Sequence, residues 1–93
     1  MSYWVDTRGM DRVRWILFFD VLPRVAWTTP ASIEKVYEEL IKYVYVSYRE
    51  FIEIVNEFEK RNIIKILKMG DTRHIVLTED AKYFLIVYRP HGV

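Results

Sequence analysis

Cysteine is missing from this 93-residue sequence. Disulfides, thiolate metal sites and cysteine nucleophiles go with it. Glutamine is missing too, and asparagine stands only at positions 56 and 62. Few thermolabile amides beside 29% charged residues point to a hot-environment source. Long apolar runs are also absent. The longest stretch without a charge is nine residues, Val25 to Ile33, where a bilayer span needs roughly twenty. No basic segment leading into an apolar one opens the chain. The expectation is an intracellular, cytoplasmic protein with no membrane partner. The net charge is only +1. Any contact with a polyanion must therefore come from where the charges lie, not from how many there are.

Catalytic groupings are scarce as well. The two histidines, His74 and His91, are far from Ser2, Ser32 and Ser47 in sequence, so no serine has a neighbouring base. Three scattered glycines, at 9, 70 and 92, make no phosphate loop. No His, Asp and Glu grouping has metal-ligand spacing. The reading is a protein that is not an enzyme, with no catalytic residue, metal or cofactor.

What is present is an apolar half, 52% of the residues, enough for one core without staples. The chain reads as a single domain over 1–93, with an N-terminal arm over 1–10 and a flexible tail over 89–93. A first helix is expected from Asp11 to about Leu22, with Asp11 near its positive end and Pro23 as its stop. Its apolar residues form two stripes: Val13, Ile16, Leu17 and Val21, and Trp15, Phe18, Phe19 and Leu22. A helix apolar almost all round is buried on more than one side. The second stripe is therefore assigned to a partner subunit.

Thr28-Thr29-Pro30 announces a second helix, with Thr29 as N-cap and Pro30 in the first turn. Ile33, Val36, Tyr37, Leu40 and Val44 recur at helical spacing, and Glu38 and Lys42 are spaced to pair outside. About three residues then separate it from a third helix, which fits the tight turn of a helix-turn-helix. Ser47-Tyr-Arg-Glu50 is a capping box, and Val46 and Phe51 sit where a hydrophobic staple belongs. Asn62 suits a left-handed closing position. Ile63–Lys68 reads as a strand, Met69–Thr72 as a turn and Arg73–Leu77 as the returning strand. Thr78 caps a last helix, Glu79 to about Tyr88. Apolar residues wrap that helix too, so Tyr83, Ile86 and Val87 join Trp15, Phe18, Phe19 and Leu22 as expected homodimer contacts.

On a wheel, the third helix turns Phe51, Ile54, Val55 and Phe58 inward. Arg49, Glu53, Asn56 and Lys60 fall opposite. Arg or Lys can bond guanine, Asn adenine and Glu cytosine in a major groove. The same stripe is what a solvated helix face would carry, with Arg49 and Glu53 free to pair at i,i+4. Lys68, Arg73 and His74 flank the turn of the hairpin, where basic groups can contact phosphate or enter a minor groove. An ordinary solubilising turn would also carry them. Arg8, Arg12 and Arg14 are further phosphate candidates.

In this order of elements, Val46-Ser-Tyr-Arg-Glu-Phe through Glu59-Lys-Arg-Asn-Ile-Ile-Lys-Ile resembles the recognition helix and first wing strand of MarR- and PadR-like regulators. Ile75-Val-Leu-Thr-Glu-Asp-Ala-Lys-Tyr-Phe-Leu85 resembles their second wing strand and following helix. The short aromatic chain is also similar to small winged-helix proteins of viruses of hyperthermophilic archaea. The resemblance implies an α+β, mainly α, winged helix-turn-helix: three core helices, a β-hairpin wing and a short C-terminal helix. It further implies a homodimeric transcription regulator of double-stranded DNA, with the third helix (about 48–61) in the major groove and the 68–74 wing on backbone or minor groove. The alternative is a winged-helix module that binds protein without sequence-specific DNA contact.

Overall fold

The computed structural model describes residues 5–88. The expected tail over 89–93, and Tyr3 and Trp4 of the arm, lie outside the described residues. The architecture is α+β: four helices and one three-stranded antiparallel sheet among the described residues. Helix α1 is continuous through Arg12–Ile16, a π-helical turn at Leu17–Val21, and Leu22–Val25. It is followed by strand β1 (Ala31–Ser32), helix α2 (Ile33–Leu40), helix α3 (Tyr48–Lys60), strands β2 (Ile64–Met69) and β3 (Thr72–Leu77), and helix α4 (Glu79–Val87). No helix among the described residues is long and apolar enough to cross a membrane.

Pro23 does not end α1, contrary to the expectation above. It sits inside the continuous helix directly after the π turn, where it donates no backbone bond. The preceding turn bonds one residue further back, Leu22 N–H to Leu17 C=O, as a π turn does. The Asp20 carbonyl instead accepts from Arg24 Nε at 2.9 Å.

The start of α2 is also displaced. Ser32, not Thr29, is the N-cap, its hydroxyl accepting from Lys35 N–H at 3.1 Å. Ala31 and Ser32 are taken up by pairing with Ile75 and His74 of β3, a third strand with no warning in the sequence. Because α2 ends at Leu40, Lys42 reaches Glu39 (3.1 Å) rather than Glu38.

The α3 boundaries follow the residues that announced them. The Ser47 hydroxyl accepts from Glu50 N–H at 3.1 Å and donates to Glu50 Oε1 at 3.2 Å. The carboxylate thus meets the hydroxyl, a variant of the expected box. Val46 and Phe51 are both buried, closing the staple. At the other end Asn62 has φ 62°. Ile63 N–H bonds to Phe58 C=O (2.9 Å) and Asn62 N–H to Glu59 C=O (3.2 Å), the two bonds of a Schellman stop, with Phe58 and Ile63 both buried.

The sheet runs β1-β3-β2. The β2–β3 hairpin turns on Gly70-Asp71, with Gly70 at φ +67°. A positive φ at the first central residue and not the second is the type II′ pattern that suits twisted strands. Leu77 N–H bonds to Ala26 C=O at 3.0 Å, which ties the end of β3 to the end of α1. Thr78 is buried, caps α4 through Ala81 N–H (3.0 Å), and donates to Asn62 C=O (2.8 Å).

The buried apolar side chains form one cluster that takes members from every helix and all three strands. Phe18 and Leu22 belong to it, fully buried, which corrects their assignment to a subunit contact. The cluster covers both stripes of α1 because α4 lies over the second. Phe18 stacks on Phe84 at 5.8 Å and meets Phe58 edge-on at 6.3 Å. Phe19 is half-buried against the core and stacks on Trp15 at 4.6 Å. Of that stripe only Trp15 is an exposed side chain.

Candidate nucleic-acid interface

Burial of Phe51, Ile54, Val55 and Phe58 fixes which way α3 faces. Arg49, Glu53, Asn56 and Lys60 are all exposed on the other side. At 1.5 Å per residue the stripe is about 16 Å long. No ion pair joins Arg49 to Glu53, and none engages Lys60, among the described residues.

The cations around Glu57 are engaged. Glu57 accepts from Arg14 Nε and Nη2, each at 2.9 Å, and pairs with Arg61 Nε at 2.9 Å. Arg14 also reaches Asp11 at 2.8 Å. Arg61 donates to the carbonyls of Asp6 (3.1 Å) and Arg8 (2.6 Å), fastening the arm to the end of α3. Arg8 pairs with Asp6 at 3.1 Å. Arg8 and Arg14, named above as phosphate candidates, are thus held by acids of this chain. Arg12 stays exposed and has no ion pair among the described residues.

On the hairpin, alternation separates the three basic residues. The pairs Ile64↔Leu77, Ile66↔Ile75 and Lys68↔Arg73 share one face because side chains repeat every second residue. The first two pairs face the core, so Lys68 and Arg73 continue that inner face beyond it, both exposed. His74 pairs with Leu67 and faces the other way, half-buried, with Nδ1 3.5 Å from Thr72 Oγ1. The fold brings Lys68 and Arg73 together and keeps His74 apart. Like charges directly opposite one another destabilise a ladder. No acid of this chain forms an ion pair with either among the described residues.

Two residues that the sequence reading did not single out, Glu34 and Tyr48, come together near the start of α2. The Tyr48 hydroxyl is 3.4 Å from Glu34 Oε2. Partial burial, and then the Glu34 charge, raise the phenol above its ordinary value, with Arg73 pulling the other way. Nothing in the spacing of 34, 48 and 73 could have announced the cluster, since three elements must dock to make it.

Exposed large apolar side chains lie on α1 and α4, and also at Ile41, Tyr43 and Tyr45 after α2 and at Leu67 and Met69 of β2. Ala81 and Leu85 anchor α4 in the core, so Tyr83, Ile86 and Val87 point outward, Ile86 at 68% exposure. Trp15 is exposed at 42%. Among the described residues no group of three or more His, Cys, Asp or Glu is placed to hold a metal ion.

Comparison with family models, curated proteins and solved structures returns no match to this chain.

Proposed function

We propose that this chain is a winged helix-turn-helix module that binds double-stranded DNA. α3 would enter the major groove and the β2–β3 hairpin would serve as the wing. The observation that carries the reading is the Lys68–Arg73 pair, two cations held face to face without an acid, beside an α3 whose outward stripe of Arg49, Asn56 and Lys60 is not consumed by ion pairs of its own chain. An arrangement that costs stability in the free protein is relieved by a phosphate backbone. Elements in the order α1-β1-α2-α3-β2-β3, with β1 on β3, support the winged-helix assignment. In this reading Arg49, Glu53, Asn56 and Lys60 meet base edges while Lys68 and Arg73 meet phosphate. His74 has no place in it, because it faces away from them.

We also propose a homodimer through Trp15 on α1 and Tyr83, Ile86 and Val87 on α4. Two copies of α3 would then address successive major grooves about one helical turn apart. A transcription-regulating role follows from that geometry. The test is retention of short duplex DNA at low ionic strength, followed by a salt titration. Affinity falls steeply with salt if the reading holds. Absence of any retained duplex, random or selected, ends it.

A second reading has its own support. The exposed face of α3 carries three carboxylates (Glu50, Glu53, Glu59) against two cations (Arg49, Lys60), a balance suited to a protein partner. A stoichiometric protein complex unaffected by Arg49→Glu and Arg73→Glu favours that alternative.

A further inference from the structure

Glu34 stands in the first turn of α2, and β1 leads directly into that turn. The β1–β3 ladder pairs Ala31 with Ile75 and Ser32 with His74. Arg73, the neighbour of His74 along β3, therefore lies beside the strand end from which α2 starts, and it acts electrostatically on Tyr48. Lys68 stands directly across from Arg73. Arg73 of the ribbon, the phenol that opens α3 and one carboxylate of α2 thus lie in one region, with Lys68 across the ladder on the far side of Arg73.

The carboxylate is loosely held. Its 3.4 Å contact with the phenol is at the long end for an O–H···O bond, and both residues are exposed. A phosphate oxygen that also answers the charge of Arg73 displaces it at little cost.

The geometry points to a seat for one backbone phosphate formed by Tyr48 and Arg73, with Lys68 across the ladder adding charge, in which the Glu34 carboxylate occupies the phenol in the free protein and is displaced as the phosphate arrives. This rests on the duplex-binding reading and adds to it a positioning hydroxyl and a built-in competitor. Glu34 repels the incoming phosphate, so it lowers affinity for every duplex alike. Tyr48 contributes a directional bond with no charge. Its removal weakens binding without changing the number of counterions released.

The experiment is an anisotropy titration of a fluorescent random-sequence duplex at low salt, repeated over a salt series. It compares the wild-type chain with Tyr48→Phe, Glu34→Gln and Arg73→Ala, each checked by thermal melting. Tyr48→Phe keeps the ring that packs edge-on against Tyr37 at 5.1 Å, so the variant folds. It binds about three- to tenfold more weakly, as one lost hydrogen bond requires, with the salt slope unchanged. Glu34→Gln binds several-fold more tightly. Arg73→Ala binds more weakly and lowers the salt slope by about one. If Tyr48→Phe and Glu34→Gln match the wild type while Arg73→Ala is weakened, the seat is wrong and duplex binding stands. A Glu34→Gln variant weaker than wild type also overturns the seat. If the wild-type chain binds no duplex, the seat falls together with the reading beneath it.

Discussion

Arg14 forks onto Glu57 across 43 residues of sequence, Nε to Oε2 and Nη2 to Oε1 at 2.9 Å each. A planar guanidinium matched to a carboxylate in this way is among the stronger surface-near pairs. It fastens α1 to the outer side of α3 and, through Arg61, fastens the arm as well. The outward stripe of α3 is thereby held in place by contacts that do not touch it.

The Glu57 carboxyl is held below its ordinary value by the hydrogen bonds from Arg14, with the charges of Arg14 and Arg61 adding to them and burial opposing. Unfolded, it titrates near 4.5. Between there and its lower folded value the unfolded chain binds more protons, so stability rises with pH. The contribution is complete above the unfolded value and is lost as pH falls through the folded one. Thermal melting on acidification should show this loss. Glu57→Gln should remove part of the pH dependence and cost about 1–3 kcal/mol at neutral pH. Equal slopes for variant and wild type between neutral and acid would contradict it.

Asn62 holds a left-handed backbone, φ 62°, and its amide donates to Asp80 Oδ2 at 2.7 Å. Asn62→Ala meets both costs and should destabilise by about 1–3 kcal/mol in urea unfolding. Asn62→Gly relieves the backbone but loses the side-chain bond, so it should fall between Ala and wild type. A Gly variant no better than Ala would mean that the backbone conformation is not what the position selects.

The apolar stripe of α1 divides into interior and surface. Phe18→Ala should cost about 3–5 kcal/mol as a core cavity. Trp15→Glu combined with Ile86→Glu should leave the melting temperature of the monomer within a few degrees while abolishing self-association in sedimentation. A wild-type chain that is monomeric at micromolar concentration would remove the dimer.

Ribbon and helix should separate in DNA binding. Lys68→Glu with Arg73→Glu should weaken all duplexes alike and flatten the salt dependence. Asn56→Ala and Arg49→Ala should alter the preference among sequences in a selection experiment. Uniform weakening by all four would assign α3 a backbone role only.

The parts of this fold that were legible beforehand are those decided within a few residues of themselves. Ser47 and Glu50 start α3, Asn62 stops it, Gly70-Asp71 turns the ribbon and Thr78 starts α4, each through bonds to neighbours along the chain. The errors share a physical origin. Pro23 as a stop assumed an unbroken α pattern, and a π turn removed the conflict. Thr29 was a plausible cap, but pairing with β3 took Ala31 and Ser32 and moved the cap to Ser32. Phe18 and Leu22 looked surplus to one core, but both are buried in it, Phe18 against Phe84 of α4. Arg14 looked free until α1 was laid against Glu57.

By itself the sequence determined the local grammar: where α3 begins and ends, which of its sides is apolar, and that Arg49, Glu53, Asn56 and Lys60 share the opposite one. Helical and strand periodicity act over a few residues and need no partner. Only the tertiary structure decided that Lys68 and Arg73 stand as an exposed pair on the sheet's inner face while His74 does not, that β1 joins the sheet, and that the Glu34 carboxylate reaches the Tyr48 hydroxyl. Those relations depend on strand register and on the docking of elements far apart in sequence, where burial of one shared core outweighs any local preference.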